Sequence, residues 1–209
     1  MAGAVAPETV ALAMTGASGM PYGLRLLERL LQAGRTVYVM VSPPARMVLA
    51  QESDLQLPSR PGEIRSILSE RYGAAPGQLE VFGQEEWTAP VASGSAPPDA
   101  LVVCPCTSGT LGAIAAGTSR NLIERAADVV LKEGRVLILV PREMPFSVIH
   151  LENMLRLARA GAVIMPPSPG FYHRPRGMQD LVDFVVARIL DHLRIPQDMV
   201  PRWGLDERE

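Results

Sequence analysis

The chain has 209 residues, 47% of them hydrophobic and 20% charged, a composition that excludes a disordered polypeptide and fits one domain. Twenty basic against 22 acidic residues leave a net charge of −2, so no basic field exists to recruit nucleic acid or an anionic membrane surface. No apolar run approaches the roughly 18 residues that span a bilayer, and the start MAGAVAP lacks the basic and long apolar regions of a secretory signal, which reads as a cytoplasmic protein.

Along the chain, residues 8–15 (ETVALAMT) form an unbroken apolar run that ends in Gly-Ala-Ser-Gly, predicting a buried strand and a tight turn. Leu24, Leu26, Leu27, Leu30 and Leu31 then recur at helical spacing, and Gly34 closes that helix. A second strand is predicted over 36–41 and a helix over 45–52. Residues 53–98 carry weaker signals: they are polar and rich in Pro and Gly, with a helix expected at 63–71 and a short strand near 80–82. Beyond them come a strand at 99–103, a small-residue helix at 109–116, and a helix at 121–133 with Asn121 as its N-cap. A strand at 135–140, an amphipathic helix at 147–160, a short strand at 162–165 and a last helix at 178–193 complete the pattern. Apolar runs that do not alternate, separated by amphipathic helices, predict a parallel sheet covered on both faces. The expected fold is therefore a doubly wound α/β sandwich of three layers, Rossmann- or flavodoxin-like, in one unit over 1–209 with a C-terminal arm from about 195.

Ligands of such sheets sit beyond the carboxyl ends of the strands, which directs attention to four loops. The first, TGASGMPYG from Thr15 to Gly23, has glycines for a sharp turn and a following helix whose free N–H groups suit an anion. It is not the G-x-G-x-x-G of dinucleotide sites, and the second strand ends in Ser42-Pro43-Pro44 with no acid for an NAD ribose; a mononucleotide phosphate fits better. At residues 104–110, CPCTSGT clusters hydroxyls at a helix start, suited to a phosphate or a flavin edge. Cys104 and Cys106 are too close for a metal pair and no histidine adjoins them, so the thiols read as core packing. Arg142 and Glu143, set between prolines at a strand end, are poor candidates for packing and good ones for chemistry. Arg125 and Lys132 (the only lysine) are seven residues apart and can share a helix face; the helix alone reads as a solvated charged stripe, whereas its largely apolar surroundings point to burial and a role, and Tyr172 follows a Pro-rich loop. Arg188 on its own reads as an ordinary surface charge.

These stretches closely resemble the flavin prenyltransferase family (UbiX-like). The resemblance rests on TGASGMPYG, VSPPAR, CPCTSGTLGAIAAG, NLIERAADVVLKE, LVPREMPFSVIHLENM, PGFYHRP, DLVDFVVARIL and PQDMVPRWG, which run in order along nearly the whole chain. It implies that Gly16, Ala17, Ser18, Ser42, Thr107, Ser108, Gly109, Thr110 and Arg142 bind FMN. Tyr172 and Arg188 match positions that hold the phosphate of dimethylallyl monophosphate, and Ser18, Glu52, Arg125, Lys132, Glu143 and Trp203 match other active-site positions. Some relatives carry a lysine where Gly109 stands, so contacts at 109 are expected from the backbone alone. The activity implied is transfer of the dimethylallyl group to N5 and C6 of reduced FMN, making prenylated FMN for UbiD-type decarboxylases. Reduced FMN would come from a flavin reductase. Members are homo-oligomers, here expected as a dodecamer, with active sites at subunit interfaces.

The residues suit that chemistry. Arg125, Lys132, Arg188 and the Tyr172 hydroxyl can stabilise a departing phosphate. No Asp-rich cluster stands ready for magnesium, so the expected reaction is metal-free. Trp203 can face the allyl cation, Glu143 with Ser18 can relay a proton, and the arm through Trp203 is expected to close over a site against water. Two rival readings are a flavin-dependent cysteine decarboxylase, whose Pro-x-Met-Asn-x-x-Met-Trp segment is missing from this sequence, and a flavin carrier without catalysis.

Overall fold

β-branched and apolar runs form six strands in a computed structural model that describes residues 6–201. These are β1 (Thr9–Met14), β2 (Thr36–Val41), β3 (Leu79–Phe82), β4 (Ala100–Cys106), β5 (Val136–Pro141) and β6 (Val163–Ile164). They form a single sheet in the order β3-β2-β1-β4-β5-β6, and every neighbouring pair is parallel. The chain winds from β1 to one edge, then returns to begin the other half at β4. The order therefore reverses between β1 and β4, where doubly wound sheets open a crevice at the strand carboxyl ends.

Among the described residues, seven α-helices cover the sheet: α1 (Met20–Gln32), α2 (Pro43–Glu52), α3 (Pro61–Tyr72), α4 (Ser108–Ala115), α5 (Leu122–Lys132), α6 (Val148–Arg159) and α7 (Met178–His192). Strand side chains alternate between two cores. Val10, Leu12 and Met14 point to a core shared with α1, α2, α3 and α7, whereas Ala11 and Ala13 point to one shared with α4, α5 and α6. Leu12, Leu101 and Leu139 are fully buried. Full burial of one leucine contributes about 1.5–3 kcal/mol, which is why an unbroken apolar run becomes a central strand here.

The differences from the sequence reading lie at element ends, and prolines account for several. α2 starts at Pro43, because the Ser42 hydroxyl accepts the Ala45 N–H at 3.2 Å and a proline at the first helical position forfeits no hydrogen bond. α1 likewise starts at Met20, four residues before its leucine repeat. β4 runs on through Pro105 to Cys106, and its register with β5 shifts between Val103 and Cys106 because a proline supplies no ladder donor. The weakly readable segment holds α3, β3 and a short 3₁₀ turn, Pro90–Ala92. Asn121 caps α5 as expected, its side chain accepting the Glu124 N–H at 3.0 Å.

Candidate active site

Four loops converge beyond the carboxyl ends of β1, β2, β4 and β5. The β1–α1 loop presses so closely on the start of α2 that a methyl at Gly16 would lie 2.4 Å from the Pro44 Cβ, so only glycine fits there. Gly19 turns the chain into α1 with φ 113°, in the left-handed region that favours glycine. The backbone N–H groups of Gly19 and Met20 both donate to one Glu52 carboxylate oxygen, each at 2.9 Å. This changes the expectation for the loop: the first donors of α1 are taken by Glu52, so an anion here has to use Gly16, Ser18 and the neighbouring loops. Glu52 thus braces the loop from the last turn of α2.

Across the crevice, Thr107 caps α4. Its hydroxyl accepts the Thr110 N–H at 3.1 Å and donates to the Thr110 hydroxyl at 2.9 Å, which leaves the Thr110 hydrogen directed onward. The Ser18 and Ser108 hydroxyls make no hydrogen bond among the described residues, and Ser42, spent as an acceptor on Ala45, keeps its own hydrogen to donate. The β5 loop completes the ring. The Arg142 N–H donates to the Cys106 carbonyl and its Nε to the Ser18 carbonyl, both at 3.3 Å. The two terminal guanidinium nitrogens of Arg142 make no hydrogen bond among the described residues. Glu143 stands beside it, half-buried, its carboxylate accepting the Met144 N–H at 3.3 Å. Hydroxyls, backbone N–H groups and a guanidinium facing one crevice make a receptor for a phosphorylated, hydrogen-bonding ligand. Beneath them Cys104 and Cys106 are fully buried on opposite faces of the sheet, and burial pushes both thiols up, Cys106 to about 12. Both therefore stay protonated and act as packing groups, as read from the sequence.

The remaining candidates lie elsewhere. Tyr172 and Arg188 meet in a cleft of about 930 Å³ between α7 and the segment after it. There Arg188 pairs with Asp191 at 2.8 Å, and Tyr172 packs edge-on against Phe184 with ring centroids 5.7 Å apart. Arg125 and Lys132 lie on α5, and the sheet separates them from that cleft because α5 and α7 pack on opposite faces. The Arg125 Nε donates to the Ala92 carbonyl at 3.0 Å and its guanidinium pairs with Asp128 at 2.8 Å. Lys132 pairs with Glu133 beside Gly94, at the end of α5 that leads through the Arg135–Asp99 contact to the start of β5. Within one chain, therefore, Arg125 and Lys132 do not meet Tyr172 and Arg188, and a site holding all four would draw on more than one subunit.

The sequence matches the Flavoprotein family over residues 4–190. It is 61% identical to the flavin prenyltransferase UbiX of Pseudomonas aeruginosa over 198 residues, covering 95% of each chain, and 42% identical to UbiX of Halalkalibacterium halodurans across 94% of this chain and 93% of that one. The chain belongs to the UbiX flavin prenyltransferase family.

Solved UbiX structures agree with the fold. AnUbiX in complex with FMN and dimethylallyl pyrophosphate superposes with a TM-score of 0.84 at 38% identity, covering 95% of this chain and 98% of that one. A dodecameric FMN-dependent UbiX-like decarboxylase from Escherichia coli gives 0.83 at 37% identity, covering 94% and 99%. The FMN-dependent cysteine decarboxylase TvaF, at 20% identity and a TM-score of 0.57, shares the fold alone.

One feature of the crevice is not legible in the sequence. Thr15, almost fully buried, bonds to both Pro105 and Thr107; its place directly before Gly16 was the available signal. The segment from Ile195 to Pro201 docks rather than frays: Ile195 is buried, Met199 packs on the core, and the Gln197 side chain accepts the N–H groups of Met199 and Val200 at 2.9 and 3.3 Å. Trp203 and the remainder of the arm lie outside the described residues.

Proposed function

We propose that this chain is a flavin prenyltransferase that joins the dimethylallyl group of dimethylallyl monophosphate to reduced FMN, yielding prenylated FMN for a UbiD-type decarboxylase, with a flavin reductase supplying the reduced flavin. The observation that carries this reading is the ring of outward-facing donors at the β1/β4 reversal (Ser18, Ser42, Ser108, Thr110 and Arg142), in a chain 61% identical to a UbiX prenyltransferase. The donor set fits FMN, with hydroxyls and backbone N–H groups for ribityl and ring oxygens and a guanidinium for negative charge. Bound reduced FMN supplies the electron-rich ring that takes up the allyl carbon. Glu143, at the rim, is the group we assign to moving the proton released as the new ring closes, together with Ser18.

Tyr172 and Arg188 would hold the departing phosphate. Arg125 and Lys132 reach it from a neighbouring subunit, since the sheet of their own chain stands between α5 and α7. A homo-oligomer follows, and the dodecamer expected from the sequence matches the assembly named for the Escherichia coli relative. An apolar ridge on α6 supports such assembly, with Val148 and Ile149 each 68% exposed. Among the described residues no helix is long and apolar enough to cross a membrane, in keeping with a cytoplasmic site of action.

The deciding experiment is anaerobic incubation of the protein with reduced FMN and dimethylallyl monophosphate, followed by mass measurement of the flavin. A gain of one prenyl unit is expected. Unmodified FMN would overturn the reading in favour of a carrier. A parallel reaction with dimethylallyl pyrophosphate, the compound in the AnUbiX structure, establishes which leaving group is used.

A further inference from the structure

We infer that Thr15 is a positioning residue that sets the gap between the two halves of the flavin crevice. This rests on the flavin reading above and extends it to a side chain that touches no ligand in that reading. The β1–β4 ladder pairs residues as far as Ala13 with Val103. Past that point β4 contains Pro105, which has no N–H to offer, and the backbone pairing has to be replaced if the two strand ends are to stay together. Thr15 replaces it. Its N–H donates to the Pro105 carbonyl at 3.1 Å, its hydroxyl donates to the same carbonyl at 2.9 Å, and the hydroxyl oxygen accepts the Thr107 N–H at 2.8 Å. The side chain is 3% exposed, so water does not compete for these bonds.

The consequence is directional. With its N–H held by Thr15, Thr107 is fixed at the cap of α4, where its hydroxyl is oriented by Thr110. Thr107 leads directly into Ser108, Gly109 and Thr110, and Thr15 directly into Gly16, Ala17 and Ser18, so the two donor loops start from the same bonded pair. One hydroxyl, bonded to partners 90 and 92 residues away, thereby registers one wall of the crevice against the other. A valine of the same shape would fill the space and lose both side-chain bonds, leaving the Thr107 N–H without its acceptor.

The test compares Thr15→Val and Thr15→Ser by FMN titration, with Leu12→Val as a core variant that perturbs the same strand away from the crevice. Thr15→Val is expected to bind FMN about tenfold more weakly, the effect of leaving a buried donor unpaired. Thr15→Ser should restore binding to within about twofold, since it keeps both hydrogen bonds. Leu12→Val should lower the melting temperature without changing FMN affinity. Hydrogen exchange on the wild-type protein adds a measurement independent of any variant's folding: the Thr107 amide should exchange slowly without ligand, although it lies in a loop. Equal FMN binding by wild type and Thr15→Val, failure of Thr15→Ser to rescue, or a fast-exchanging Thr107 amide would overturn the inference while leaving the flavin reading in place. A wild-type protein that binds no FMN would overturn both.

Discussion

Glu52 holds the first turn of α1 through a single carboxylate oxygen that accepts two backbone N–H groups, so its charge is spent on the loop before any substrate arrives. Replacing it by alanine leaves both donors unpaired and is expected to cost about 1–2 kcal/mol of stability and to weaken FMN binding. Glu52→Gln keeps an oxygen within reach and should lose less than half as much. Thermal melts beside an FMN titration check this, and an alanine variant that melts and binds like wild type would confine Glu52 to the chemical step. Glu124, buried at the start of α5, makes a pH prediction. Burial pushes its carboxyl up, but the Arg120 N–H, the Thr118 hydroxyl and the Arg120 guanidinium outweigh that and hold it below the ordinary 4.5. The folded state therefore binds fewer protons than the unfolded chain around pH 4.5, so the stabilisation is complete above that pH and is lost as pH falls through the depressed value. Denaturant melts at stepped pH should give a flatter acid limb for Glu124→Gln than for wild type. The capping by Asn121 was legible because it spans three residues. Glu52's role was not, because its partners are 33 and 32 residues away.

At the scale of elements, α1 and α7 lie side by side on one face, and Arg25 links them. Its Nε and a terminal nitrogen donate to the two Asp183 oxygens at 2.8 and 3.2 Å, a forked pair with 23% and 16% of the side chains exposed. α1 follows the flavin loop and α7 carries Arg188, so this pair joins the helices behind the two parts of the proposed site. Partial exposure limits its strength to about 1 kcal/mol. A double-mutant cycle with Arg25→Met and Asp183→Asn should return a coupling energy near that value, and a value indistinguishable from zero would reduce the pair to a surface contact. The amphipathic periods of α1, α5 and α7 placed these helices in the sequence, since burial of one face leaves a repeat that needs no tertiary knowledge. The starts of α1 and α2 were placed late because Pro21 and Pro43 look like breaks until their position in the first turn is known.

For the whole molecule, the α6 ridge makes the clearest prediction. Val148, Leu151 and Leu155 recur at three- and four-residue spacing and are 68%, 52% and 50% exposed, with Met144 in the preceding loop at 87%. So much apolar surface in one row calls for a partner, and the homo-oligomer proposed above would supply one in another copy of this chain. Val148→Asp together with Leu151→Asp should reduce the assembly measured by light scattering, keep the helical content, and abolish prenylation. A double variant that stays fully assembled would remove the ridge from the interface. The sequence by itself determined the fold class, most of the elements, the packing role of Cys104 and Cys106, and the loops that converge on the crevice. All of these follow from local periodicity, capping chemistry and motifs within a few residues of one another. Only the tertiary structure decided which donors are already taken, that Thr15 and Glu52 brace the crevice, and that α5 and α7 stand on opposite faces. Those outcomes depend on crossovers that bring residues some 30 to 90 positions apart into hydrogen-bonding distance, or put a sheet between them, and no local pattern encodes that distance.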